Sequence, residues 1–95
     1  MVSTRFRRRL ASLMATEKPT IWVGKAGISE GLLEEVSRQL DARRVVKLKV
    51  QRSLLSEHTV EEIASSVAER TGAELIEVRG HTFVLYRRRR RAPDR

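Results

Sequence analysis

Two short runs rich in β-branched and aromatic residues, 74–79 and 81–87, are separated only by Gly80. A connection that tight admits an antiparallel hairpin and little else. Upstream of it, helical and strand-like patterns alternate, and the alternation fixes the rest of the order. Phe6, Leu10, Leu13 and Met14 share one face of a helix over about 3–15, with Arg5, Arg8, Arg9 and Ser12 opposite. Pro19 disfavours helical geometry at Lys18, and Thr20-Ile21-Trp22-Val23 is a β-rich run ended by Gly24. Ser29 is the expected N-cap of a second helix reaching about Arg43, with Leu32, Leu33, Val36 and Leu40 on its buried face. Gly31 near its start suggests close packing there. Residues 44–52 alternate, with Val46, Leu48 and Val50 on one side and Lys47, Lys49 and Gln51 on the other. That is a half-buried strand with a basic outer face. Thr59 and Glu62 form a capping box for a third helix, which Gly72 ends. The order is α-β-α-β-α-β-β, an α+β fold whose early strands run parallel and whose last strand runs antiparallel.

A chain of 95 residues supports one core, so residues 1–87 are expected to form a single domain and 88–95 a flexible arginine-rich tail. The net charge of +8 is unevenly placed. Residues 1–20 carry five bases against Glu17, residues 86–95 carry six against Asp94, and the stretch between them holds nine bases and ten acids. The excess therefore lies at the ends, which points to a polyanionic partner, nucleic acid rather than membrane. The basic runs lack the Trp, Phe and Leu face of a membrane-surface helix, and no apolar run approaches the ~20 residues needed to span a bilayer. The chain has no cysteine, so disulfides and cysteine-ligated zinc are excluded. Residues 5–10 are not followed by the apolar stretch of a secretory signal. A cytoplasmic location is expected.

The chemistry-bearing residues do not assemble into a catalytic pattern. His58 and His81 stand apart, Ser29 and Ser56 are explained by capping or loop solvation, and the carboxylates have the spacing of solvated helix faces. No enzymatic activity, cofactor or metal is expected. Gly24-Lys25 fails as a Walker loop, since Ala26 follows the lysine where Ser or Thr is required. Residues 79–86 match the RNP1 pattern of the RRM at five positions, but His81 and Thr82 break it and the element order is wrong. Phe83 and Tyr86 are therefore read as structural.

What remains is Gly24-Lys25-Ala26-Gly27, between a strand and the helix that Ser29 caps. Glycines at 24 and 27 let the backbone turn and approach a phosphate. The free N–H groups at the start of the helix favour an anion nearby, and Lys25 adds a positive charge.

Three stretches resemble the CRM domain, in its single-domain YhbY-like form. They are Gly24-Lys25-Ala26-Gly27-Ile28-Ser29-Glu30-Gly31, Val46-Lys47-Leu48-Lys49-Val50, and Gly72-Ala73 with Gly80-His81-Thr82-Phe83-Val84-Leu85-Tyr86-Arg87. The resemblance implies a four-stranded mixed sheet packed with helices, similar to the C-terminal domain of translation initiation factor three. It also implies RNA binding through the GxxG loop and association with precursors of the large ribosomal subunit, or intron splicing in plant relatives. Trp22 departs from the aliphatic residues usual there, and is expected to pack against the first helix rather than stack on a base.

The reading is an RNA-binding protein of ribosome biogenesis, contacting ribosomal RNA and, in that setting, ribosomal proteins. Gly24, Lys25, Ala26, Gly27 and Ser29 would form the phosphate site, joined by Lys47, Lys49 and Arg52 if the strand face adjoins the loop. Arg8, Arg9, Arg87 and Arg88 would act as electrostatic grips. A monomer is favoured. The alternatives are a small basic nucleoid protein of the Alba type and an accessory protein whose arginines hold an acidic protein partner.

Overall fold

The computed structural model describes residues 2–88. The expected flexible tail lies outside the described residues apart from Arg88. Three α-helices, α1 (Thr4–Met14), α2 (Glu30–Arg43) and α3 (Val60–Thr71), accompany four strands, β1 (Ile21–Val23), β2 (Val45–Val50), β3 (Glu74–Arg79) and β4 (Thr82–Tyr86). The strands form one mixed sheet in the order β1-β2-β4-β3. β1 and β2 are parallel, while β4 runs antiparallel to both of its neighbours. The last strand is thus inserted between β2 and β3, and the expected α+β arrangement is the one observed.

One face of the sheet carries the main core. Ile21 and Val23 of β1, Val46, Leu48 and Val50 of β2, and Phe83 and Leu85 of β4 meet Val36 and Leu40 of α2 and Ile63, Ala64 and Val67 of α3. Burying a side chain of this size contributes about 1.5–3 kcal/mol before entropy is counted. The caps act as the sequence indicates. Ser29 Oγ accepts from the Leu32 N–H at 3.1 Å. Thr59 Oγ1 accepts from the Glu62 N–H at 3.0 Å while the Glu62 carboxylate accepts from the Thr59 N–H at 2.9 Å.

The opposite face is covered in part by α1, which lies against β3. Here the helical periodicity misleads. Leu13 is 63% exposed, and the side turned inward carries Arg7, Leu10, Ala11 and Met14. The helix is rotated by polar contacts. Arg7 donates to the Leu75 carbonyl, beside the β-bulge between Leu75 and Glu77, and pairs with Glu74 at 3.5 Å. Phe6 meets Tyr86 edge-on with ring centroids 4.9 Å apart. Tyr86 and the fully buried Phe83 are structural, as expected.

Two other boundaries and one packing expectation differ from what the sequence suggests. Arg44 is not in β2 but caps α2 with φ 70°, its N–H donating to the Leu40 carbonyl at 2.7 Å. Arg52 is likewise outside β2 and opens a short 3-10 helix, Arg52–Ser56. Gly31 is exposed, and a Cβ there would meet only Ser29 Oγ at 4.0 Å, so no close packing calls for it. Among the described residues, no helix is long and apolar enough to cross a membrane.

Arg87 ties the end of β4 to two helices. Its guanidinium donates to the Thr71 carbonyl at 2.8 Å, the Ser37 carbonyl at 2.9 Å and Asp41 Oδ1 at 2.8 Å, with the side chain 19% exposed. Arg87→Ala removes the donor to the Thr71 carbonyl at the end of α3 and the charged link to α2, and is expected to cost about 2–3 kcal/mol in denaturant unfolding. Arg87→Lys recovers little of that, because a point charge cannot reproduce the fork. Arg44→Gly is expected to do the opposite. A left-handed conformation costs an L-residue about 1–2 kcal/mol, part of which glycine returns as unfolded-state entropy. A net gain of about 0.5–1 kcal/mol should appear as a rise of several degrees in Tm.

Candidate nucleic-acid interface

The glycine segment follows directly from the end of β1. The Gly27 N–H donates to the Gly24 carbonyl at 2.8 Å, closing Gly24-Lys25-Ala26-Gly27 into a four-residue turn. Lys25 and Ala26 form its exposed tip. Their N–H groups have no backbone or side-chain acceptor among the described residues and point their hydrogen-bonding capacity at solvent. The two glycines are not equivalent. Gly27 adopts φ 73°, which an L side chain resists, whereas Gly24 has no positive φ and a Cβ there would touch only the Gln51 side chain at 3.7 Å. Backbone geometry therefore demands Gly27 alone. Ser29 is two residues on, its hydroxyl committed to capping α2.

The sheet places β2 beside this turn. Val23 pairs with Val50, and the Gln51 N–H donates to the Val23 carbonyl at 2.9 Å. The chain leaving β2 thus runs alongside Gly24 and brings the exposed Arg52 next to the turn. The β3–β4 hairpin closes the third side, with the His81 carbonyl accepting from the Val50 N–H at 2.8 Å. Beneath the turn, an open cavity of about 370 Å³ is lined by Val23, Lys25, Gly27, Ile28, Leu54 and His58 among others. The turn stands off the core there instead of packing onto it.

The basic strand face divides in two. Lys49 pairs with Trp22 across β1 and β2 and lies one row from the turn, its Nζ 5.2 Å from the indole centroid. Lys47 is drawn under α1, where its Nζ donates to the Met14 and Glu17 carbonyls, each at 2.9 Å. It serves as a C-terminal cap for that helix. The terminal arginines divide as well. Arg8 and Arg9 are exposed on α1, and Arg88 is exposed beyond β4. Arg87, by contrast, is held inside by Thr71, Ser37 and Asp41. Arg88 follows Tyr86, which pairs with Val45 at the start of β2, so it lies at the other end of the sheet from the turn. That separation is roughly 17 Å by strand rise.

The structure thus brings together Gly24, Lys25, Ala26, Gly27, Lys49 and Arg52, and gives Lys47 and Arg87 internal partners. It also adds residues that sequence reasoning missed, Gln51 and Arg79, and reverses the expected place of Trp22. Trp22 does not pack against α1 as expected but is 57% exposed. The signal for it lay in the Ile21-Trp22-Val23 alternation, which sets Trp22 on the face opposite the core together with Lys49.

Comparison with known proteins agrees with this fold. The family model for the CRS1 / YhbY (CRM) domain matches residues 3–87. A probable RNA-binding protein of Methanocaldococcus jannaschii is 38% identical over 85 residues, which is 90% of this chain but 63% of that protein's length. An RNA-binding protein of Haemophilus influenzae is 29% identical, covering 90% of this chain and 85% of its own. The solution structure of a hypothetical protein from Staphylococcus aureus, for which RNA binding is proposed, superposes with a TM-score of 0.77 at 28% identity. The superposition covers 98% of this chain and 95% of that one. With the domain matched from the start of α1 to the end of β4, this protein belongs to the CRS1 / YhbY (CRM) domain family.

Proposed function

We propose that the chain is a non-catalytic RNA-binding module whose phosphate contact is the Gly24-Lys25-Ala26-Gly27 turn. The observation that carries the reading is the exposed turn itself, with free N–H groups at its tip and Lys25, Lys49 and Arg52 around it. Backbone N–H groups position a phosphate, and the cations supply charge that no base sequence alters. Ser29 fixes the start of α2, so that the helix N-terminus lies behind the turn. Glu30 opposes an anion there, and its pairing with Arg70 at 3.7 Å offsets part of that charge. Arg8, Arg9 and Arg88 act at longer range and draw in RNA without setting its register. Lys47 and Arg87 hold the fold in shape and make no direct contact.

The substrate we assign is ribosomal RNA in precursors of the large subunit, within the cytoplasm and alongside ribosomal proteins. Support comes from the family and from relatives named for RNA binding. Crosslinking in cells followed by sequencing of the bound RNA tests this assignment. Recovery of duplex DNA or of messenger RNA in place of large-subunit RNA overturns it.

Binding dominated by phosphate contacts should fall steeply with salt, and Lys25→Glu should flatten the log–log slope by about one unit. The same substitution should weaken affinity by roughly ten- to a hundredfold at low salt, the worth of a charge-assisted hydrogen bond. Filter binding or fluorescence anisotropy across a salt series reads both. The two glycines should separate stability from binding. Gly24→Ala should leave Tm unchanged and reduce RNA affinity by obstructing backbone approach. Gly27→Ala should lower Tm by several degrees through about 1–2 kcal/mol of backbone strain.

A further inference from the structure

The strand register assembles one row of side chains across the whole sheet on the face away from the main core. Trp22 pairs with Lys49, Lys49 with Thr82, and Thr82 with Arg79. The adjacent row, Lys47, Val84 and Glu77, is partly roofed by α1 through the Lys47 contacts. The helix stops there and leaves the Trp22 row open, with Trp22 57% exposed at one edge and Arg79 exposed at the other. Thr82, the smallest side chain of the row, lies between the two cations, its hydroxyl donating to the Arg79 carbonyl at 2.9 Å. The result is a shallow trough with an indole at one end and positive charge along it.

We propose that this row is a stacking platform for one unpaired base of the bound RNA. The proposal rests on the RNA-binding reading above and adds a preference for single strands. Three features favour a nucleobase as the occupant. Lys49 sits over one part of the indole at 5.2 Å from its centroid, which fixes the ring and leaves an aromatic surface facing solvent. Lys49 complements a phosphate flanking the stacked base, and Arg79, at the far edge of the sheet, complements one further along the strand. Arg79 is held by Glu77 at 3.4 Å yet keeps its exposure. Trp22 also precedes Gly24 by two residues, about 7 Å along an extended chain. A single nucleotide spans that distance, so a phosphate on the turn and a base on Trp22 belong to one continuous strand. Stacking of this kind tolerates any base, because every base has a π-face.

Trp22 is the only tryptophan in the chain, so its emission reports the platform directly. The full chain would be titrated with a short oligouridylate, an abasic oligomer of equal length, and an RNA duplex. The oligouridylate should quench the emission and the abasic oligomer should not. Trp22→Ala and Trp22→Leu should each weaken oligouridylate binding by between about 5-fold and 150-fold. Both should leave duplex affinity unchanged, and Trp22→Phe should keep more of the single-strand affinity than Leu does. Circular dichroism confirms that each variant is folded, and the leucine variant preserves apolar bulk without a ring. Wild-type affinity of the Leu variant for oligouridylate, while Lys25→Glu still weakens it, overturns the platform alone. Failure of all three RNAs to bind overturns the platform and the RNA-binding reading together. An emission shift that follows protein concentration without RNA overturns it in favour of self-association through β1.

Discussion

The insertion of β4 between β2 and β3 is the constraint from which the other placements follow. β4 pairs along nearly its whole length with both neighbours, and Phe83 and Leu85 reach the centre of the core only because of it. Pairing β2 with a strand so distant in sequence is entropically unfavourable until the helices between them have packed. Arg87 holds the end of that strand by bonding to α2 and to the carbonyl of Thr71 at the end of α3. The hairpin at the other end brings the His81 carbonyl to Val50. One strand therefore sets both ends of the sheet, including the end where the glycine turn projects.

The same arrangement sorts the basic residues, which composition alone cannot do. Arg7, Lys47 and Arg87 direct their charge at carbonyls left over by helix ends and a bulge, and so work as internal hydrogen-bond donors. Lys25, Lys49 and Arg52 are grouped at one end of the sheet, around a turn with unclaimed N–H groups. A high net charge thus overstates the number of cations available to RNA. What matters is which of them the fold leaves without a carbonyl to satisfy.

Most of the fold was legible because its signals are local. Ser29, Thr59 with Glu62, and Gly72 each declare a boundary through backbone chemistry that tertiary packing does not override, and Gly80 marks the hairpin, although the turn takes in His81 as well and β4 begins at Thr82. The failures are equally physical. Leu13 sits at helical spacing with Phe6 and Leu10, but the rotation of α1 is decided by Arg7 reaching Leu75 and Glu74, a contact between residues far apart in sequence. Arg44 is read into β2 from the sequence, although its position would put it on the apolar side with Val46, Leu48 and Val50; the chain needs a left-handed residue there to leave α2. For the site, the turn could be read from two glycines before a capped helix. The fates of Lys47 and Lys49 could not, since both point to the same face and only the length of α1 decides which is covered.

That length also gives the sheet its second use. A helix one turn longer at its C-terminal end would extend by about 5.4 Å, enough to move toward the next row of strand residues, which are spaced about 6.6 Å apart on one face. The helix ends above the Lys47 row, where the ammonium group holds the Met14 carbonyl at the end of α1 and the Glu17 carbonyl just beyond it. The row beyond, Trp22, Lys49, Thr82 and Arg79, is left uncovered where the helix stops. In this way a lysine whose ammonium group is engaged by helix-end carbonyls marks where the cover stops, and the neighbouring row keeps its aromatic and basic surface.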